Sequence, residues 1–379
     1  MNQVLGPLRW LETRLRRVTS KSHTYMPEVD GLRFIAIAWV LIFHAFLHAG
    51  RALESLQGPD VGEALPPGIA YGGRGVRLFF VISGFIIALP FVRKLTTGKG
   101  QITLRNYYLR RVTRLEPPYF VALVGLYCAA IVLNSPDVEA SNFVSSFFLR
   151  LFYAHGLGVG GWFPMNAATW SLEIEVQFYI LAPLIAQIFR LNPVFRRLAL
   201  VSGIILLPRL VDACSISVVN VAAYGHFFLV GFLLTDVYLS DGVDRRIPRW
   251  ICDIIGVVAL TYLVFMPFGG LFDNLYPWLI GLVCWGALRG WAFRAVLSWP
   301  PLTIIGGMCY SIYLIHSPLL NFVAGQIVQP SHDLLTARLA VSIVGITIAL
   351  VAGTVFYLLV ERPCMDPAWP RRLRHFLCG

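Results

Sequence analysis

An arginine and a histidine share one face of an apolar stretch near the start of the chain. In residues 27–46, PEVDGLRFIAIAWVLIFHAF, the charged group Asp30-Gly31-Leu32-Arg33 opens the run and His44 follows after further, mostly apolar residues. At about 100° per residue, Arg33, Ile37, Val40 and His44 fall on one stripe roughly 16 Å long. A neutral imidazole can take a proton from a hydroxyl near neutral pH. A guanidinium keeps its charge and suits a phosphate or a carboxylate. Inside a membrane span such groups are costly and mark functional sites by default. The plainer reading is an interfacial arginine and a satisfied core histidine, so the rest of the chain must decide. His48, one turn beyond His44 on the same face, fits an interfacial role better.

Three more groups could do chemistry. The segment RRVTRLEPP places Arg110, Arg111 and Arg114 just before Pro117-Pro118. Arg111 and Arg114, three apart, project from one helix face and form a phosphate clamp, with the prolines expected to mark where the apolar helix begins. Retention of positive charge on one membrane side explains the same cluster without a ligand. In TWSLEIEVQFY, Trp170 and Ser171 precede Glu173 and Glu175, two carboxylates that point to different faces. Glu175, within reach of Trp170, Gln177 and Tyr179, is expected to orient His44 or to hold a hydroxyl, and Glu173 to be solvated. In YSIYLIHSP, Tyr310 leads to His316, which either lines the same cavity or makes a core hydrogen bond. Ser83-Gly84, inside FFVISGF, fits close approach of another helix or of an acyl chain, and packing is the stronger reading.

The elements that must position these groups are helices in a bilayer. With 57% hydrophobic and 13% charged residues in a chain of 379, the composition is that of a polytopic membrane protein. Apolar runs near 31–50, 75–95, 118–134, 170–190, 197–212, 218–240, 251–267, 274–289, 304–327 and 335–361 predict an all-α bundle of about ten transmembrane helices. If the N-terminus is cytoplasmic, every Lys and Arg except Arg51, Arg74, Arg77, Arg150, Arg209 and Arg338 falls on the cytoplasmic side, which puts both termini inside. The formal charge of +11 is thus a loop property and implies no nucleic acid. The seven cysteines are scattered without metal-ligand spacing and read as small apolar side chains, so no metal is expected.

Residues 1–29 read as a cytoplasmic basic segment, with 10–21 fitting a helix on the anionic leaflet or a disordered tail. No cleaved leader is expected. Residues 30–363 form the membrane domain and 364–379 a basic cytoplasmic tail. The external connection 135–169 carries an interfacial helix near 142–153 and a glycine-rich stretch that includes Trp162, where an acceptor would enter.

In order along the chain, DGLR with its following His44, FFVISGF, RRVTRLEP, WSLEIEVQFY, YSIYLIHSPL and VERP resemble the acyltransferase-3 family, integral membrane acyltransferases, over residues 30–363. The WSL motif departs from a form that usually carries adjacent glutamates, because Val176 follows Glu175. The resemblance implies transfer of an acyl group, usually acetyl from acetyl-CoA, to a hydroxyl of a carbohydrate or other acceptor, in a bacterial cytoplasmic (inner) membrane. It implies that His44 is essential, with Arg33, Arg111 and Arg114 important beside it. Asp30, Ser83, Trp170, Ser171, Tyr310 and His316 are expected in supporting roles. The alternative is a transporter or flippase using buried Arg, His and Glu.

Overall fold

A computed structural model describes residues 25–58, 72–98, 103–133, 143–158, 166–214, 220–240, 247–265 and 271–366, with isolated residues 15, 65, 69 and 369. The expected helix at 10–21, most of the tail at 364–379 and the glycine-rich stretch around Trp162 lie outside the described residues. Every regular element among those described is helical. The chain divides into two compact units. One holds Met1–Gly72, Arg105–Ala140 and Ser298–Gly379, and the other Gly73–Leu104 and Ser141–Leu297.

In the first unit, α1 (Pro27–Gln57) starts with proline at its first turn, where a missing N–H costs nothing, and with Glu28 and Asp30 at the positive end of the helix dipole. It ends at Gly58, whose φ of 102° needs no Cβ and whose N–H bonds to Glu54 O. The helices α12 (Pro300–Gly307) and α13 (Cys309–Ile327) meet at a bend of 70° around Met308. Both pack on α1, and α14 (Leu334–Cys364) packs on α1 and α13. At the first of these contacts a Cβ on Gly306 would lie 1.8 Å from Asp30 O, so the two backbones touch. Two π-helical turns, Val341–Gly345 and Tyr357–Glu361, interrupt α14.

The third helix corrects one expectation. α3 (Leu104–Val132) runs through Pro117 and Pro118 without stopping. A mid-helix proline leaves the carbonyl four residues earlier without its amide. For Pro117 that carbonyl belongs to Thr113, and it accepts the indole N–H of Trp369 at 2.9 Å. One of the two freed carbonyls thus regains a donor from a distant residue.

In the second unit, α2 (Gly73–Thr97) lies against α8 (Val221–Leu239), where Gly84 and Gly231 interlock. A Cβ on either would come within 2.3 Å of backbone oxygen on the facing helix. Gly84 therefore serves close helix packing. Around this pair stand α6 (Trp170–Ile185), α7 (Pro193–Ala213), α9 (Arg249–Phe265) and α10 (Leu271–Arg289). The short helices α4 (Phe143–Leu151), α5 (His155–Gly158) and α11 (Ala292–Leu297) complete it. Asn192 and Asn220 cap α7 and α8 with their side-chain oxygens. Asp253 accepts the N–H groups of Trp291, Ala292 and Phe293 at the start of α11.

Each of the ten apolar runs carries a helix, but fewer meet the demands of a bilayer. Among the described residues, α1, α2, α3, α6 with its extension to Arg190, α8 and α14 are long and apolar enough to cross, and the bent α12–α13 pair makes a seventh. α9 has only 17 residues, and α7 carries Arg196, Arg197, Arg209 and Asp212. Large apolar side chains such as Ile180, Leu184, Val351 and Leu359 are exposed, as expected of surfaces that meet lipid. The protein is an integral, multi-pass membrane protein.

Candidate active site

α1 presents its stripe as expected: Ile37 and Val40 are fully buried, with Arg33 and His44 half-buried at either end. Arg33 Nη1 donates to Asp30 Oδ1 at 2.5 Å, one turn back on the same helix. Asp30 thus offsets part of the charge that Arg33 could offer a ligand.

Facing the C-terminal half of that stripe is α13. The His316 ring is fully buried and lies 4.9 Å from the His44 ring, centroid to centroid, at 76°. His316 Nδ1 is 2.7 Å from Tyr313 O, and His44 Nδ1 is 2.9 Å from Val40 O. A carbonyl oxygen only accepts, so both Nδ1 atoms carry hydrogen. In the neutral rings each Nε2 then holds a lone pair. His316 Nε2 stands 3.3 Å from His44 Nδ1 and is a second acceptor for its N–H. His44 is left with Nε2 as its basic atom. One turn further on, His48 Nε2 lies 3.1 Å from Ser317 Oγ and ties the same two helices together.

The N-terminal part of α13 is held by two other contacts. Tyr310 Oη donates to Leu115 O at 2.8 Å, which fixes α13 against the turn of α3 that follows Arg111 and Arg114. Glu361, buried in the second π turn of α14, accepts from Ser311 N at 3.1 Å and from Ser311 Oγ at 2.5 Å. The break at Met308 exposes the first amides of α13, and this carboxylate caps one of them from another helix. Glu361 sits in the VERP motif, yet sequence reasoning gave it no role; an acid next to an arginine inside the last apolar run was the available signal. Arg111 and Arg114 are half-buried on α3, with Arg111 Cζ 5.8 Å from the Tyr107 ring centroid, while Arg110 is exposed and donates from Nε to Asn106 O.

The second unit gathers the remaining residues. Glu175 Oε1 accepts from both Ser83 Oγ and Tyr179 Oη. Gln177 turns instead to the Val221 N–H, 2.9 Å away. Trp170 packs against Phe80 and Tyr224, and Ser171 is buried. Glu173 is not solvated: it is 2% exposed, and its Oε2 accepts the Gly156 N–H at 2.8 Å. Beside it Arg150, also buried, donates to Thr169 Oγ1 and Asn166 O, so α4, α5 and the start of α6 are tied together. Burial and the Arg150 charge push His155 down to about 4. Sequence reasoning also passed over Asp236, a buried acid held by Arg196 at 2.6 Å and Arg197 at 2.7 Å. Among the described residues no group of three or more His, Cys, Asp or Glu is placed to hold a metal ion.

The family model for an acyltransferase domain, acyltransferase-3, matches residues 26–359. The chain belongs to the acyltransferase-3 family. Among curated relatives, peptidoglycan O-acetyltransferase OatA of Listeria monocytogenes is 24% identical over 84% of this chain and 53% of its own. O-acetyltransferase OatA of Staphylococcus aureus is 26% identical over 90% of this chain and 57% of its own. The chain therefore spans little more than half the length of these relatives. No solved structure matches it.

Proposed function

We propose that this protein is a membrane O-acyltransferase that moves an acetyl group from cytoplasmic acetyl-CoA to a hydroxyl of an extracytoplasmic or membrane-linked glycan. The observation that carries the reading is the orientation of His44, whose Nδ1–H is engaged by Val40 O and His316 and whose Nε2 is left as the base. Family membership supports the reaction class, and the Listeria relative's name makes peptidoglycan the first acceptor to test.

In this mechanism the CoA phosphates sit on Arg111 and Arg114, with Arg110 and Arg33 adding charge. The acceptor oxygen attacks the thioester carbonyl, so a C–O bond replaces the C–S bond. His44 Nε2 takes the hydroxyl proton and returns it to the departing thiolate. Transient acylation of His44 itself, followed by transfer to the hydroxyl, reaches the same products. Glu175 holds Ser83 and Tyr179 as a polar cluster for the acceptor side, with Trp170 as an aromatic surface for a sugar. The protein resides in a bacterial cytoplasmic membrane, with about ten spans and both termini inside. Transport is the weaker reading, since the family and the relatives' names are those of acyltransferases.

The donor clamp is tested by titrating acetyl-CoA against purified Arg111→Ala. Loss of one charge-assisted contact, about 1.5–3 kcal/mol, should raise the half-saturating acetyl-CoA concentration about tenfold or more. An unchanged dependence contradicts the clamp.

A further inference from the structure

The second imidazole has a geometry that packing alone does not require. His316 is fully buried on α13, its Nδ1–H is committed to Tyr313 O, and its remaining lone pair is aimed at the Nδ1–H of His44 on α1. We propose that His316 is a positioning residue: a neutral acceptor that holds the His44 ring with Nε2 presented to the substrate and steadies the imidazolium formed when Nε2 takes the proton.

The arrangement parallels an acid–histidine pair with one change suited to an apolar span. A carboxylate behind the base would bring a full negative charge into the bilayer, at a cost of several kcal/mol unless it were met by donors. An imidazole whose own Nδ1–H is tied to a carbonyl offers one lone pair and no charge. Val40 O, a backbone group of α1 itself, fixes which nitrogen of His44 carries hydrogen. It lies on the same helix, so it does not set the ring against the rest of the site. His316 comes from the facing helix and supplies that constraint. The neighbouring His48–Ser317 contact joins the same two helices without touching His44 Nδ1, and so serves as an internal control.

The inference rests on reading His44 as the base, and the test separates the two. Membranes carrying the full chain are given radiolabelled acetyl-CoA, and label is followed into glycan for wild type, His44→Ala, His316→Leu, His316→Gln and Ser317→Ala at equal abundance. Leucine removes the acceptor, whereas glutamine can place its amide oxygen near the former Nε2. His316→Leu is expected to lower kcat about 10²-fold, the scale of a misplacement near 1 Å, with KM for acetyl-CoA within twofold of wild type. His316→Gln should recover about tenfold of that loss, and Ser317→Ala should stay within twofold of wild type. The proposal is overturned if His316→Leu keeps the wild-type kcat. It is equally overturned if leucine and glutamine variants are impaired alike, or if Ser317→Ala falls as far, since each points to helix packing alone. Label transfer by His44→Ala at the wild-type rate, or no transfer by wild type, removes the underlying reading whatever His316 does.

Discussion

A carboxylate inside an apolar helix costs several kcal/mol unless donors meet it. Asp30 has Arg33, Glu173 has the Gly156 amide, Glu175 has Ser83 and Tyr179, and Glu361 has both donors of Ser311. The Glu175–Tyr179 contact is legible in sequence because it is local, as is Asp30–Arg33. Glu173 finds its partner 17 residues away, in a segment with no helical period, and nothing in the spacing could show it. The same cluster makes a prediction about pH. His155, buried beside Arg150, binds its proton only near pH 4 in the folded protein, against 6.5 when exposed. Between those values the unfolded chain binds more protons, so this contribution to stability is full above about 6.5 and is lost as pH falls towards 4. Thermal inactivation in detergent should therefore speed up as pH drops through that window, and His155→Gln should flatten the dependence. An identical pH profile in the variant would contradict the assignment.

Helices that carry the site are placed by backbone contacts as much as by side chains. Gly306 lets α12 touch α1 at Asp30, one turn before Arg33. The colliding atom is a backbone oxygen, which cannot swing aside. Gly306→Ala should therefore displace α12 from α1 and destabilise the folded protein by more than about 2 kcal/mol, the scale of core overpacking. Retention of wild-type thermal stability in detergent would show that the helices can separate without loss. Sequence patterning marked the existence of each long helix, since apolar length is a strong local signal, but not of the short α5 and α11. It misread Pro117 and Pro118 as a start, because the donor that excuses one of them, Trp369, lies far along the chain. It did not reveal the bend at Met308 or the π turns of α14, which depend on what packs against them.

On the scale of the whole molecule, hydropathy and charge point to about ten spans, whereas among the described residues length and apolarity give six or seven. The difference lies in helices such as α7 and α9, which are short or charged yet fold beside longer ones. Topology tests the orientation and separates an even count from seven, because dropping one span inverts every later loop. Single cysteines at positions 100 and 370, in a background freed of accessible native thiols, should react with a membrane-impermeant reagent only after the cytoplasmic side is opened. Labelling of either from the outside would contradict the proposed orientation. The central claim is narrower: one ring nitrogen, Nε2 of His44, does the proton chemistry of acetyl transfer. It is tested most directly by transfer of radiolabel from acetyl-CoA to glycan by purified wild type and His44→Ala. The account predicts a fall of about 10² to 10⁴-fold in the variant with unchanged abundance and helical content, and transfer at the wild-type rate would contradict it.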